Sequence, residues 1–270
     1  MHGLGSNGID GSEGGGAPKG ASTPLVLLAD RGVDAQVATD LALHVGAILI
    51  GSEEEAPPGA LMLHMGEDGL ELRRAGLALR GDLARMLPRL KPANLARELL
   101  VRAARVKPTG IAPTAIDATA GLGDDSLLLA AAGFRVTMFE SDPVIAALLR
   151  DALARAARDE RLAGFVGRME LIECDSIAAL PALPDSPDVV YLDPMFPERS
   201  KSAAVKKKFQ LLHHLERPCA NQEELLRAAL EVRPRKVVVK RPAKGPYLAG
   251  VKPSHSIVGK AVRYDCLVRG

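Results

Sequence analysis

The chain has 270 residues and 47% hydrophobic content, enough to bury one large core or a large and a small one. Aromatics are only 3% and Trp is absent, so the core draws mainly on Leu, Val, Ile and Ala. Lys+Arg 35 against Asp+Glu 33 leaves a net charge of +2, which gives no global argument for nucleic acid and leaves that role to a local patch. Cys174, Cys219 and Cys266 are scattered, and the histidines show no metal spacing. That pattern fits a reducing cytoplasm and predicts neither a zinc site nor a disulfide framework. No run approaches ~18 uninterrupted apolar residues, so no membrane span is expected.

Residues 1–23 are Gly-rich, lack the order of a signal peptide and predict a disordered extension. Leu25-Val26-Leu27-Leu28-Ala29 reads as a strand, Ala35 to Val45 as a helix and Ala47 to Ile50 as another strand. Leu61 to His64 and Leu70 to Leu72 flank Glu67-Asp68-Gly69 as a hairpin. Together these predict a small α/β unit over 24–80, in which no chemistry is recognisable. Residues 81–110 form a basic helical connector, with Arg85, Arg89, Lys91, Arg97, Arg102, Arg105 and Lys107 interleaved with leucines. Pro88 and Pro92 break it into at least two pieces.

From 111 to 270 strands and helices alternate. Strands are predicted at Ala115–Ala118, Phe134–Phe139, Met169–Glu173, Val189–Leu192 and Lys236–Lys240, with two short runs around Gly259-Lys260. Helices are predicted at Asp125–Ala132, Pro143–Ala157 with Asp142 as N-cap, and Glu223–Val232. Repeated βα units predict an α/β fold: a Rossmann-like parallel sheet with helices on both faces. Ligands of such sheets bind beyond the carboxyl ends of the strands.

Four such ends carry an acid: Asp117, Glu140, Asp175 and Asp193. Gly121 and Gly123 let the backbone of the first loop approach a ligand closely. Ser126 stands where a dinucleotide fingerprint needs a third Gly, and Asp124 and Asp125 would repel a pyrophosphate. A cationic, phosphate-free ligand fits better, and S-adenosylmethionine is one. Glu140, placed nineteen residues after Gly121, suits ribose hydroxyls, and Asp175, with Ser176 beside it, suits the adenine amine. Asp193-Pro194-Met195-Phe196-Pro197 is a stiff loop with a carboxylate and a ring, able to grip a flat base. Arg199, Lys201, Lys206, Lys207 and Lys208 follow it, and Lys240-Arg241 close the next strand. Both runs are candidates for binding RNA phosphates.

Asp117-Ala-Thr-Ala-Gly-Leu-Gly123, Val189 to Pro197, Lys201-Ser-Ala-Ala-Val-Lys-Lys207 and Val237-Val-Val-Lys-Arg-Pro242 resemble the bacterial 16S ribosomal RNA guanine-N2 methyltransferase J family. The resemblance runs in order from about 115 to the C-terminus. It implies a class I methyltransferase fold, S-adenosylmethionine as donor, and methylation of the exocyclic amine of one guanosine in small-subunit rRNA, free or in the 30S particle. It carries cofactor contacts onto Asp124, Asp125, Glu140, Ser141, Asp175, Ser176 and Asp193. The chain departs from the family at Asp124, where a basic residue is usual, and in the Leu- and Arg-rich run from Arg89 to Lys107.

A guanine amine is a poor nucleophile, so positioning must supply much of the rate. Asp193 and the Pro194 carbonyl are the candidates for accepting the amine protons. Phe196 is the candidate for stacking on the base, worth about 1–3 kcal/mol. Two alternatives stay open: an adenine-N6 or other amino-methyltransferase, and a non-catalytic RNA-binding assembly factor. Adenine enzymes favour Asp- or Asn-Pro-Pro-aromatic, and Met195 occupies the second proline position.

Overall fold

The computed structural model describes residues 23–194, 211 and 221–269. The Gly-rich leader and the candidates Met195, Phe196, Pro197, Arg199, Lys201, Lys206, Lys207 and Lys208 lie outside the described residues.

Two sheets organise the rest. The first takes β1 (Leu25–Ala29), β2 (Ile48–Ile50), β3 (Leu61–Gly66), β4 (Gly69–Arg74) and β5 (Leu77–Arg80) in the order β2-β1-β3-β4-β5. Helix α1 (Ala35–Val45) makes the crossover from β1 to the parallel β2. The expected hairpin is present as β3 and β4, and β5 extends it antiparallel. The sequence reading missed β5. Its four residues, Leu77-Ala78-Leu79-Arg80, are too short for alternation to stand out.

The connector folds into three short helices: α2 (Leu87–Leu90), α3 (Pro92–Leu95) and α4 (Leu99–Ala104). Pro88 and Pro92 occupy first-turn positions, where a missing N–H costs nothing. Lys236 Nζ donates to the Ala103 and Arg105 carbonyls at 2.8 and 2.7 Å, satisfying groups that the end of α4 leaves open. Arg89 spends its guanidinium on both oxygens of Glu98, while Lys91, Arg97, Arg102, Arg105 and Lys107 are exposed.

The second sheet begins with β6 (Thr114–Asp117), α5 (Asp124–Ala131), β7 (Arg135–Glu140), α6 (Pro143–Ala156), α7 (Glu160–Val166) and β8 (Met169–Glu173). It continues through α8 (Ser176–Ala179), β9 (Val189–Leu192), α9 (Gln222–Glu231), β10 (Lys236–Pro242), β11 (His255–Val258) and β12 (Val262–Val268). The strand order is β11-β12-β10-β9-β6-β7-β8. Five neighbouring strands, β10 to β8, run parallel, and β12 is inserted antiparallel between β10 and β11. The chain leaves β6 toward β7 and β8, then returns to β9 on the other side. The boundary between β6 and β9 is therefore the switch point, where a ligand crevice opens.

Helix α6 lies between the sheets. Asp142 caps it as expected, accepting from the Val144 and Ile145 N–H groups. Val144, Ile145, Ala147 and Leu148 pack with Leu27, Leu61, Leu63 and Leu72 of the first sheet. Leu149, Ala152 and Ala156 join the core over Val136 and Met138 of the second. A helix buried on nearly every side needs this all-round apolar sequence. No helix among the described residues is long and apolar enough to cross a membrane.

Candidate active site

The first loop is pinned from both sides. Asp117, 1% exposed at the end of β6, accepts from the Ser126 hydroxyl and from the Thr119 N–H at 3.1 Å. Ser126 therefore has a reason to replace the third glycine: it ties α5 to the strand end. Burial pushes the Asp117 carboxyl up to about 7, outweighing those two bonds, with the charges of Asp125 and Asp193 adding to the rise. Gly123 adopts φ +79°, and a Cβ there would sit 2.7 Å from Leu149 Cδ1 of α6. Gly121, at φ +54°, donates its N–H to Glu140 Oε2 at 2.9 Å and has open space where a Cβ would project.

Glu140 also accepts from the Asp142 N–H at 2.9 Å, and burial raises its carboxyl despite these bonds. Ser141 is exposed beside it. Asp175 is exposed and caps α8 through the Ile177 N–H at 2.9 Å, with Ser176 half-buried next to it. Asp124 pairs with Arg85 of the connector through Oδ2, and its Oδ1 is buried with no partner among the described residues. An acid at the usual place of a base thus finds its cation in the basic connector, four residues before the Leu- and Arg-rich run.

The densest contacts surround Asp193. Its N–H donates to Thr119 Oγ1 at 2.7 Å, joining the fourth strand end to the first loop. Lys240 Nζ donates to Asp193 Oδ2 at 2.8 Å and to Asp125 Oδ2 at 2.7 Å. The Tyr191 hydroxyl donates to the same Asp125 oxygen at 2.6 Å. Burial would raise the Asp125 carboxyl, but the Lys240 ammonium and the Tyr191 hydroxyl hold it below the ordinary range. Lys240 loses by burial and gains more from the two carboxylates, so its ammonium is held well above the usual lysine range. Tyr191 and Tyr264, with ring centroids 6.4 Å apart, are both raised by burial and then by the nearby acids.

The structure thus brings Asp117, Asp125 and Asp193 to the switch point, sets Gly121 on Glu140, and leaves Asp175 and Ser176 at the far strand end. Two expectations change. Lys240 is committed to two carboxylates, with only 25% of its side chain exposed, and Arg241 is 1% exposed, with Nε on the Pro246 carbonyl at 2.8 Å. Neither is presented as a phosphate contact. Neighbours on a strand point to opposite faces, so Lys240 and Arg241 could not both have faced RNA. Thr119 and Tyr191 were missed; the inward face of a buried strand was the available signal for Tyr191, and none marked Thr119.

The acid-rimmed edge fits a cationic ligand. The space above Gly121, an Asp124 Oδ1 with no partner among the described residues and a first loop without Lys or Arg suit adenosine carrying a sulfonium and an ammonium group. A sheet of this order with such an edge defines an S-adenosylmethionine-dependent methyltransferase, with β12 as the inserted antiparallel strand. The family described as putative SAM-dependent methyltransferase matches residues 54–269. Ribosomal RNA small subunit methyltransferase J of Thioalkalivibrio sulfidiphilus is 41% identical, covering 94% of this chain and 88% of its own. Its counterpart from Marinobacter nauticus is 39% identical over 88% and 87%. The crystal structure of a SAM-dependent methyltransferase from Neisseria gonorrhoeae, 30% identical, matches with a TM-score of 0.71 over 90% of this chain and 95% of that one. The chain belongs to the ribosomal RNA small subunit methyltransferase J family.

Proposed function

We propose that this enzyme methylates the exocyclic N2 of one guanosine in small-subunit ribosomal RNA, in the cytoplasm, on free RNA or on the 30S particle. The observation that carries the reading is Asp193. It is a carboxylate at the switch point, followed by Pro194 and held by Thr119 and Lys240 beside the first loop. The names of the close relatives supply the RNA, and the motif from Asp193 to Pro197 supplies the base.

Glu140, Asp175 and Ser176 are placed to hold the adenosine part of S-adenosylmethionine, and Asp124 its ammonium group. When bound, S-adenosylmethionine supplies an electrophilic methyl group on sulfur. Asp193 and the Pro194 carbonyl accept the two amine hydrogens, which turns the nitrogen lone pair toward the methyl group and fixes the attack angle. Phe196 stacks on the base, and a paired guanine is extruded first. Arg199, Lys201, Lys206, Lys207 and Lys208 hold the flanking phosphates. Nucleoside mass spectrometry of rRNA from cells with and without the protein tests this. Loss of one N2-methylguanosine is expected. Loss of N6-methyladenosine instead, or no change, would overturn it.

A further inference from the structure

The proposed reaction leaves Lys240 without a task. It sits on β10, three-quarters buried, and three elements converge on it: Asp125 from α5, Asp193 from the end of β9, and its own strand. Asp125 is fixed in turn by the Tyr191 hydroxyl, and the Asp193 backbone by Thr119. The other charged or titratable groups facing this cluster are Tyr264 from β12, Arg89 from α2 and Asp117 from β6. Lys240 donates to both acids.

We propose that Lys240 is a positioning residue for methyl transfer: its ammonium, anchored on Asp125, holds Asp193 ionised and oriented to take the amine proton. This rests on the amine-methylation reading above. A carboxylate offers about four acceptor positions, and Lys240 takes one of them on Asp193 Oδ2. Without the ammonium, Asp125 and Asp193 lose the cation they share and repel each other, which favours the protonated form of Asp193. A protonated Asp193 donates where it must accept. The proton then has a defined path. As the amine nitrogen bonds to carbon, the sulfur–carbon bond breaks with its electron pair left on sulfur. One N–H proton passes to Asp193 and on to water.

The test uses the full chain with Lys240→Met and Lys240→Arg. Carbon-13 NMR follows the aspartate carboxyls in the protein alone, with Asp193 assigned through Asp193→Asn. In Lys240→Met the Asp193 titration is expected to move to higher pH, and in Lys240→Arg to stay near that of wild type. With RNA, kcat of Lys240→Met is expected to fall about 10²-fold or more, with partial recovery in Lys240→Arg. S-adenosylmethionine affinity by calorimetry should stay within about threefold. An unmoved Asp193 titration overturns the proposal, as does an unchanged kcat. A weaker RNA affinity with a salt slope shallower by about one, at unchanged kcat, would return Lys240 to the phosphates. Should Lys240→Met fail to fold by circular dichroism, Tyr191→Phe carries the test, since it removes the buttress of Asp125 and keeps every charge. A several-fold loss of kcat at intact S-adenosylmethionine binding is then expected, and full activity overturns the anchoring. Wild-type protein that leaves N2 of guanosine unmethylated would defeat the proposed function alone, because the NMR titration is read without substrate.

Discussion

Asp117→Asn should remove a pH dependence from the stability of the fold. Burial lifts this carboxyl from an ordinary 3.8 to about 7. Between those values the folded chain keeps a proton that the unfolded chain has released, so stability falls as pH rises. The contribution is fully present below the unfolded pKa and gone above the folded one. Across pH 5 to 7.5 the slope approaches one proton, about 1.4 kcal/mol per unit, so wild type should lose about 2–3 kcal/mol relative to the variant. Asn keeps an oxygen for the Thr119 N–H, but its NH2 group replaces the oxygen that accepts from Ser126 and must donate to that hydroxyl instead, so a pH-independent offset is expected and the charge is read from the pH dependence of the gap. Urea denaturation followed by circular dichroism, on both proteins at both pH values, gives the difference directly. A gap between them that is constant with pH, or that widens in favour of wild type as pH rises, would refute the assignment of a buried, raised carboxyl.

Other outcomes follow from the same geometry. Asp193→Ala should abolish methyl transfer to RNA while leaving the circular dichroism spectrum in place; substantial activity in that variant would remove Asp193 from the chemistry. Replacing Lys206, Lys207 and Lys208 together with Ala should weaken RNA binding and flatten its dependence on salt, read by filter binding across a salt series. An unchanged slope would take that run out of the interface. Leu148→Ala, on the face of α6 toward the first sheet, should cost about 2–5 kcal/mol in urea denaturation, because that side chain is fully buried between elements that cannot collapse onto the gap.

Much of the second sheet was legible because its signals are local. Four of its strand ends carry an acid, and Asp142-Pro143 marks the start of α6 unaided. The weaker elements were not: α7 has only seven residues, Glu160 to Val166, and lies close behind α6. The largest gap concerned what the charges do. Asp125 reads on the page as a ligand for a cation, and its cation turns out to be Lys240, 115 positions away. Lys240-Arg241 reads as a basic pair, yet the pleat sends one toward the tyrosines and hides the other. Asp124 stands where the family usually has a basic residue, and it pairs with Arg85 of the connector. In each case the partner comes from another element, and a local pattern has no access to it.

The burial of α6 between two sheets also bears on how the molecule comes apart. Its Leu148 face is covered by the first sheet and its Leu149 face by the second, so neither sheet can detach without wetting a leucine-rich helix. Opening of β3 and β4, whose leucines pack on α6, is therefore expected to cost much of the free energy of global unfolding. The two halves are therefore expected to melt in a single transition.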